Sequence, residues 1–139
     1  MSSYLSIYIV PKRKSEKEEK KHILLTSYSR STDIYQYFDE NIHPVFVGNN
    51  EKTPYTTITM EDILTVTKDM SQDIVKAKNV LTEYEKYAPH NPEYIQDILE
   101  TKEYITNLQY WKDKVSFIED MIDSIPFYEE IEEVCCNIS

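Results

Sequence analysis

Apolar residues recur in this chain with two different periods, and the period changes near residue 59. Over residues 4–10 (YLSIYIV) β-branched and aromatic side chains alternate. Leu5, Ile7 and Ile9 share one face, and Tyr4, Ser6, Tyr8 and Val10 share the other. Pro11 stops the run. A second extended run, residues 22–28 (HILLTSY), follows the charged stretch KRKSEKEEKK at 12–21. That stretch is too polar for a core and reads as the exposed loop of a β-hairpin. Glu and Lys also form helices well, so a short helix over SEKEEKK is the alternative.

Residues 29–32 (SRST) lead into IYQYFDEN, with Ser31 or Thr32 as N-cap and Asp33 near the helix start. Ile34, Tyr37 and Phe38 fall on one face of a short helix over about 32–41, which ends before Pro44. Val45–Val47 reads as a brief strand, Gly48-Asn49-Asn50 as a turn, and Thr56–Thr59 as one more strand.

From residue 60 the period is helical. Thr59 and Asp62 have capping-box spacing. The stripe Met60, Ile63, Thr67, Met70, Ile74, Ala77, Leu81, Tyr84, Ala88 then steps by three and four without a break, as a coiled-coil seam does. Pro89 ends it. Asn91 is the expected cap of the next helix, with Pro92 at its first position and Glu93 in its first turn. The return stripe is Tyr94, Ile98, Thr101, Ile105, Leu108, Trp111, Val115, Ile118, Ile122, Ile125, closed by Pro126. So short a connection makes the two helices antiparallel neighbours. Arms of roughly 40 and 50 Å, at ~1.5 Å per residue, outreach a small ββα unit. Part of the seam is therefore expected to be exposed unless another chain covers it. A last short helix, Phe127–Val134, is expected to fold back over some of it.

The expected fold class is α+β: a small N-terminal β-hairpin plus short helix packed on a long antiparallel, coiled-coil-like helical hairpin. Residues 1–59 would be the small unit, 60–125 the hairpin and 126–139 a short helix with an acidic tail, all in one structural domain. A chain of 139 residues with 40% hydrophobic content can bury such a core without disulfides or metals.

Charge is uneven. Residues 12–21 hold six basic and three acidic side chains, whereas residues 22–139 hold nine basic and 22 acidic, a net of −13. Such a surface repels phosphate backbone, so direct nucleic-acid binding is not expected, and it attracts basic partners. The many tyrosines could stack on bases, but stacking platforms come with a basic groove. The single glycine, Gly48, excludes a Walker loop and a GxGxxG turn, both of which need several. The start of the chain has no basic leader and no apolar run is long enough to span a bilayer. A soluble cytoplasmic or intracellular protein, away from membranes, is therefore the expectation.

Candidate chemistry is sparse. His22, His43 and His90 are isolated, and no HExxH, CxxC or ExxH occurs, so neither a metal site nor a cofactor is assigned. Carboxylate pairs such as Asp69 with Asp73 and Glu100 with Glu103 arise readily among 25 acidic residues and read as solvated faces. Ser29, Arg30 and Ser31 beside a helix start match an anion-site pattern, and ordinary capping explains the same residues. Cys135 and Cys136 follow Glu129, Glu130, Glu132 and Glu133, whose charge raises a thiol pKa and weakens a nucleophile. Cys136-Asn137-Ile138-Ser139 loosely fits a C-a-a-X lipidation motif on Cys136, although Asn137 is not aliphatic and the preceding stretch is acidic.

No catalytic residue emerges, and the chain reads as a non-enzyme. The functional expectation is a protein-interaction or assembly module with acidic faces, pairing with itself as a homo-oligomer or with a basic protein. Its interaction seam would comprise Met60, Ile63, Met70, Ile74, Leu81, Tyr84, Ile98, Ile105, Leu108, Trp111, Val115, Ile118 and Ile122. Two alternatives stand beside it: an acidic inhibitor mimicking nucleic acid, and a lipid-anchored peripheral protein.

Overall fold

The computed structural model describes residues 3–47, 54–125 and 130–139. Strand β1 (Tyr4–Pro11) pairs antiparallel with β2 (Ile23–Ser29), placing Leu5 opposite Tyr28 and Ile7 opposite Thr26, with a bulge between Ile7 and Tyr8. Helix α1 (Asp33–Asn41) follows and buries Ile34, Tyr35 and Phe38. Of the expected strand at 45–47, one parallel bridge from Phe46 to Ile138 forms; the expected turn at 48–50 lies outside the described residues. Strand β3 is the pair Thr56–Thr57. Helix α2 (Met60–Tyr87), a 3-10 turn at Ala88–His90 and helix α3 (Tyr94–Asp123) make the antiparallel hairpin.

The largest departure from expectation is at the C-terminal end. The expected helix over Phe127–Val134 begins outside the described residues, and residues 131–138 form strand β4 (Ile131–Ile138) instead. This strand is no tail. It lies between β1 and β3 in a sheet of order β2-β1-β4-β3, with Ile7 opposite Cys136 and Thr57 opposite Cys135. Glutamates favour helix locally, but β1 has a second edge to satisfy, and pairing there overrides propensity. Within β4 the alternation holds. Val134, Cys136 and Ile138 join the core beneath the helices, and Cys135 and Asn137 are buried on the opposite face.

That opposite face is covered by the segment before β3. Tyr55 stacks on His22 with ring centroids 3.7 Å apart and meets Tyr8 edge-on at 5.3 Å. The Asn137 amide donates to the Pro54 carbonyl at 3.1 Å. The charged loop is also tied down. Lys12 pairs with Glu130 at 3.0 Å, Arg13 makes two bonds to Glu132 at 2.9 and 3.2 Å, and Lys20 pairs with Glu133 at 2.9 Å. The glutamates that resembled a helix thus hold the basic loop against the start of β4.

One continuous core joins the parts. Leu5 and Ile7 from β1, Phe38 from α1, Val66 and Met70 from α2, Leu108 and Val115 from α3, and Cys136 from β4 pack in a single cluster. Residues 130–139 are not a unit of their own, because β4 is central to the sheet that the N-terminal strands begin.

Candidate interaction surface

The hairpin is built as its sequence indicates at its entry. The Thr59 hydroxyl accepts from the Asp62 N–H at 3.1 Å, and the Asp62 carboxylate accepts from the Thr59 N–H at 2.9 Å, a complete capping box. At the tip, Asn91 does not cap α3. Its side-chain amide donates to the Tyr87 carbonyl at 3.1 Å and so closes the end of α2. The turn is clasped by stacking of Tyr84 on Tyr94, centroids 5.5 Å apart.

The expected seam divides into two halves. Ile63, Met70, Ile74, Leu108, Val115 and Ile118 are buried, whereas Leu81, Tyr84, Ile98, Ile105, Trp111 and Ile122 are half-buried and Met60 is exposed. The last buried residue of α2 is Ile74 and the first of α3 is Leu108. Between them no residue is buried. Val66 was missed by the strict three-and-four count, which chose Thr67. It is fully buried because α1 packs against the side of the hairpin as well as the sheet packing beneath it. The seam itself closes inside the chain, α2 on α3, and is therefore not the outward surface expected from sequence.

The outward apolar residues lie on the flanks. Val80 and Tyr87 are two turns apart on α2, and Ile95 and Leu99 are one turn apart on α3. Ile95 and Leu99 are 54% and 58% exposed, although each is a large aliphatic residue. Val80 and Tyr104 border one shallow hollow of ≈ 290 Å³, which places both on the same side of the hairpin.

Where α1 meets the hairpin there is a narrow cleft of ≈ 180 Å³ lined by Asp33, Gln36, Tyr37, Glu40, Asp73, Tyr104 and Leu108. The Tyr37 hydroxyl donates to the Asp73 carboxylate. Burial, then this bond, pushes the Tyr37 hydroxyl far above the usual tyrosine range, so it stays protonated. Gln36 donates to Glu40 at 3.3 Å. The lining offers carboxylates and phenols, with no histidine, serine or cysteine among them. The helices of the hairpin bring Asp69 and Asp73, or Glu100 and Glu103, to no metal cluster: among the described residues, no three ligating side chains converge.

The remaining candidates are placed as follows. The Ser29 and Ser31 hydroxyls bond each other at 3.1 Å, the Thr32 hydroxyl donates to the Ser29 carbonyl at 2.7 Å, and Arg30 lies over the Tyr35 ring at 5.7 Å. These groups are engaged locally and do not converge on one point. Cys136 is fully buried in a central strand, where a lipid-transferring enzyme has no access to it. Burial, then neighbouring Cys135, pushes its thiol up to about 12, and burial with Glu133 pushes Cys135 up to about 11. Among the described residues no helix is long and apolar enough to cross a membrane.

The fold and these surfaces define an α+β protein whose four-stranded antiparallel sheet carries a long helical hairpin. Comparison with known protein families, with characterised proteins and with solved structures returns no match.

Proposed function

We propose that this protein is a non-catalytic interaction or assembly module, and that its contact surface is the outer half of the helical hairpin, paired with the same surface of a second copy. One observation carries this reading: beyond Ile74 and before Leu108 no residue is buried, yet Val80, Tyr87, Ile95 and Leu99 present apolar side chains outward. Large apolar side chains left exposed on both flanks of a projecting element are surface available for contact with another chain. Charge supports a like copy as the partner. Residues 75–107 carry four lysines against six carboxylates, a net of −2 in a chain of −10, so two copies can approach tip to tip with little repulsion and with opposite charges available on both.

Sedimentation over a wide concentration range tests this. The wild-type chain is expected to associate, and Ile95→Glu with Leu99→Glu to return it to monomer with unchanged circular dichroism. A wild-type chain that stays strictly monomeric at the highest concentration reached removes the self-assembly reading.

A second reading has its own support. The cations of the basic loop, Lys12, Arg13 and Lys20, are engaged by Glu130, Glu132 and Glu133, which leaves the acidic surplus to the helices. An acidic inhibitor of a basic nucleic-acid-binding protein would use those helices. It would bind with strong salt dependence, and binding unaffected by salt would dismiss it.

A further inference from the structure

A second surface lies at the opposite end of the molecule from the hairpin tip. Between β2 and α3 runs a groove of ≈ 490 Å³. One wall is Thr26, Ser27, Tyr28 and Ser29; the other is Trp111, Lys114, Phe117 and Met121. The first wall is informative because it is four consecutive residues. Side chains of consecutive strand residues point to opposite faces of a sheet. A groove bordered by all four therefore borders the edge of the strand, and an occupant would lie beside β2 in the plane of the sheet.

That edge is open. β2 is the outermost strand on its side. The Arg30 N–H donates to the Ser3 carbonyl at 2.9 Å, which fixes the alternation of the ladder: Tyr28 and Thr26 direct their backbone groups to β1, and Ser27 directs its own outward. Natural edge strands are usually blunted by charge or proline. β2 (ILLTSYS) contains neither, exposes Ile23 and Leu24, and has only the bulge near Leu25. Opposite it, the groove-facing residues of α3 recur at one helical face over ten residues, roughly 15 Å. That length matches about four residues of extended chain.

Charge specifies the occupant. Cations stand at both ends of β2 and on the groove wall: Lys21 precedes the strand, Arg30 follows it and Lys114 lines the wall. Among the described residues none of the three is in an ion pair. A second copy is disfavoured here, since antiparallel pairing of β2 with itself brings the lysine end of one copy to the arginine end of the other. We infer that this groove takes an extended, acidic peptide segment of a partner protein by strand addition to β2, with alternate apolar side chains set against Trp111, Phe117 and Met121.

Trp111 is the only tryptophan, so its fluorescence reports on the groove alone. The probes are a seven-residue peptide of alternating valine and glutamate, its valine–lysine counterpart, and the valine–glutamate peptide with alternate backbone nitrogens methylated. The acidic peptide is expected to change Trp111 emission and to slow exchange of the Ser27 amide. The methylated peptide, which keeps its side chains and loses its strand-pairing donors, is expected to bind at least about tenfold more weakly. Lys114→Glu, a change at an exposed residue, is expected to cost about tenfold as well, which is the effect of ~1.4 kcal/mol. Equal binding of the lysine peptide overturns the charge assignment, and Trp111 response without Ser27 protection overturns strand addition. Ser27 protection that rises with protein concentration in the absence of peptide would assign the edge to a second copy and overturn the partner segment.

Discussion

Leu108 and Ile98 belong to the same stripe of α3, ten residues apart, and the structure gives them different energetic weight. Leu108 is 1% exposed and sits where α1 meets the hairpin, beside the cleft it lines with Tyr37 and Asp73. Truncation to alanine removes three carbons worth ~0.8 kcal/mol each in transfer alone, about 2.4 kcal/mol. The void left beside the cleft adds part of a cavity term, and the total falls at roughly 3 kcal/mol. Ile98 is half-buried and flanked by solvent. Its truncation forfeits about half of that transfer, ~1.2 kcal/mol, leaves no closed void, and recovers a few tenths of a kcal/mol from the better helix propensity of alanine. The expected cost is about 1 kcal/mol. Urea unfolding of dilute protein measures both, read as a shift of midpoint at constant slope. Equal costs for the two variants would refute the division of the hairpin into a cored base and a projecting tip. An Ile98→Ala cost that grows with protein concentration would show the tip buried against another copy, since association stabilises by mass action.

Three further outcomes are expected. Neither thiol should react with a disulfide reagent at pH 8 in native protein, and both should react in denaturant; native reaction of Cys136 would mean β4 is not in the sheet. Glu132 and Glu133 are held below their ordinary 4.5, the first by Arg13 and the second by the Thr57 hydroxyl and then Lys20. A depressed folded pKa gives stability that is present above the ordinary value and lost as pH falls through the lower one. Proteolysis of the 12–21 loop should therefore accelerate as pH falls below 4.5, and a rate flat across that range would count against the ion-paired loop. Tyr37→Phe removes the donor to Asp73 and should cost about 1 kcal/mol, measured by thermal or urea unfolding; an unchanged midpoint would indicate that water replaces the hydroxyl without loss.

How much of this was legible in the sequence depended on whether the signal was local. The hairpin was, because an unbroken three-and-four repeat from Met60, a capping pair at Thr59 and Asp62, and prolines at 89 and 92 all act within a few residues of one another. β1, β2 and α1 were, for the same reason. The place of β4 was not. Its glutamates favour helix, and the fact that decides against helix is the second edge of β1, more than 100 residues away. Val66 escaped because a seam count allows each helix one partner, and α2 has two. For the surface, the sequence indicated that the hairpin outreaches its base but assigned the contact to the seam. A seam that closes α2 on α3 cannot also face outward; the flanking residues Ile95 and Leu99 do so, and an exposed aliphatic carries no pattern that sets it apart from a buried one.

The long-range pairing that was hardest to read also determines what the hairpin can do. α2 leaves directly from β3, and α3 returns to β4. β3 and β4 are adjacent antiparallel strands, with Thr57 opposite Cys135, and the ladder continues into the helix entry as the Ile58 N–H donates to the Val134 carbonyl at 2.9 Å. The α2 foot of the hairpin is thus tied to the sheet, while α1 and the core hold the lower half of both helices. A hairpin joined at one foot could swing about that connection. Packed at its base against α1 and the core, it keeps its direction, so under the proposed association its outer half would have little orientational entropy left to lose. The central position of β4 places the strand that follows the hairpin beside the strand that precedes it.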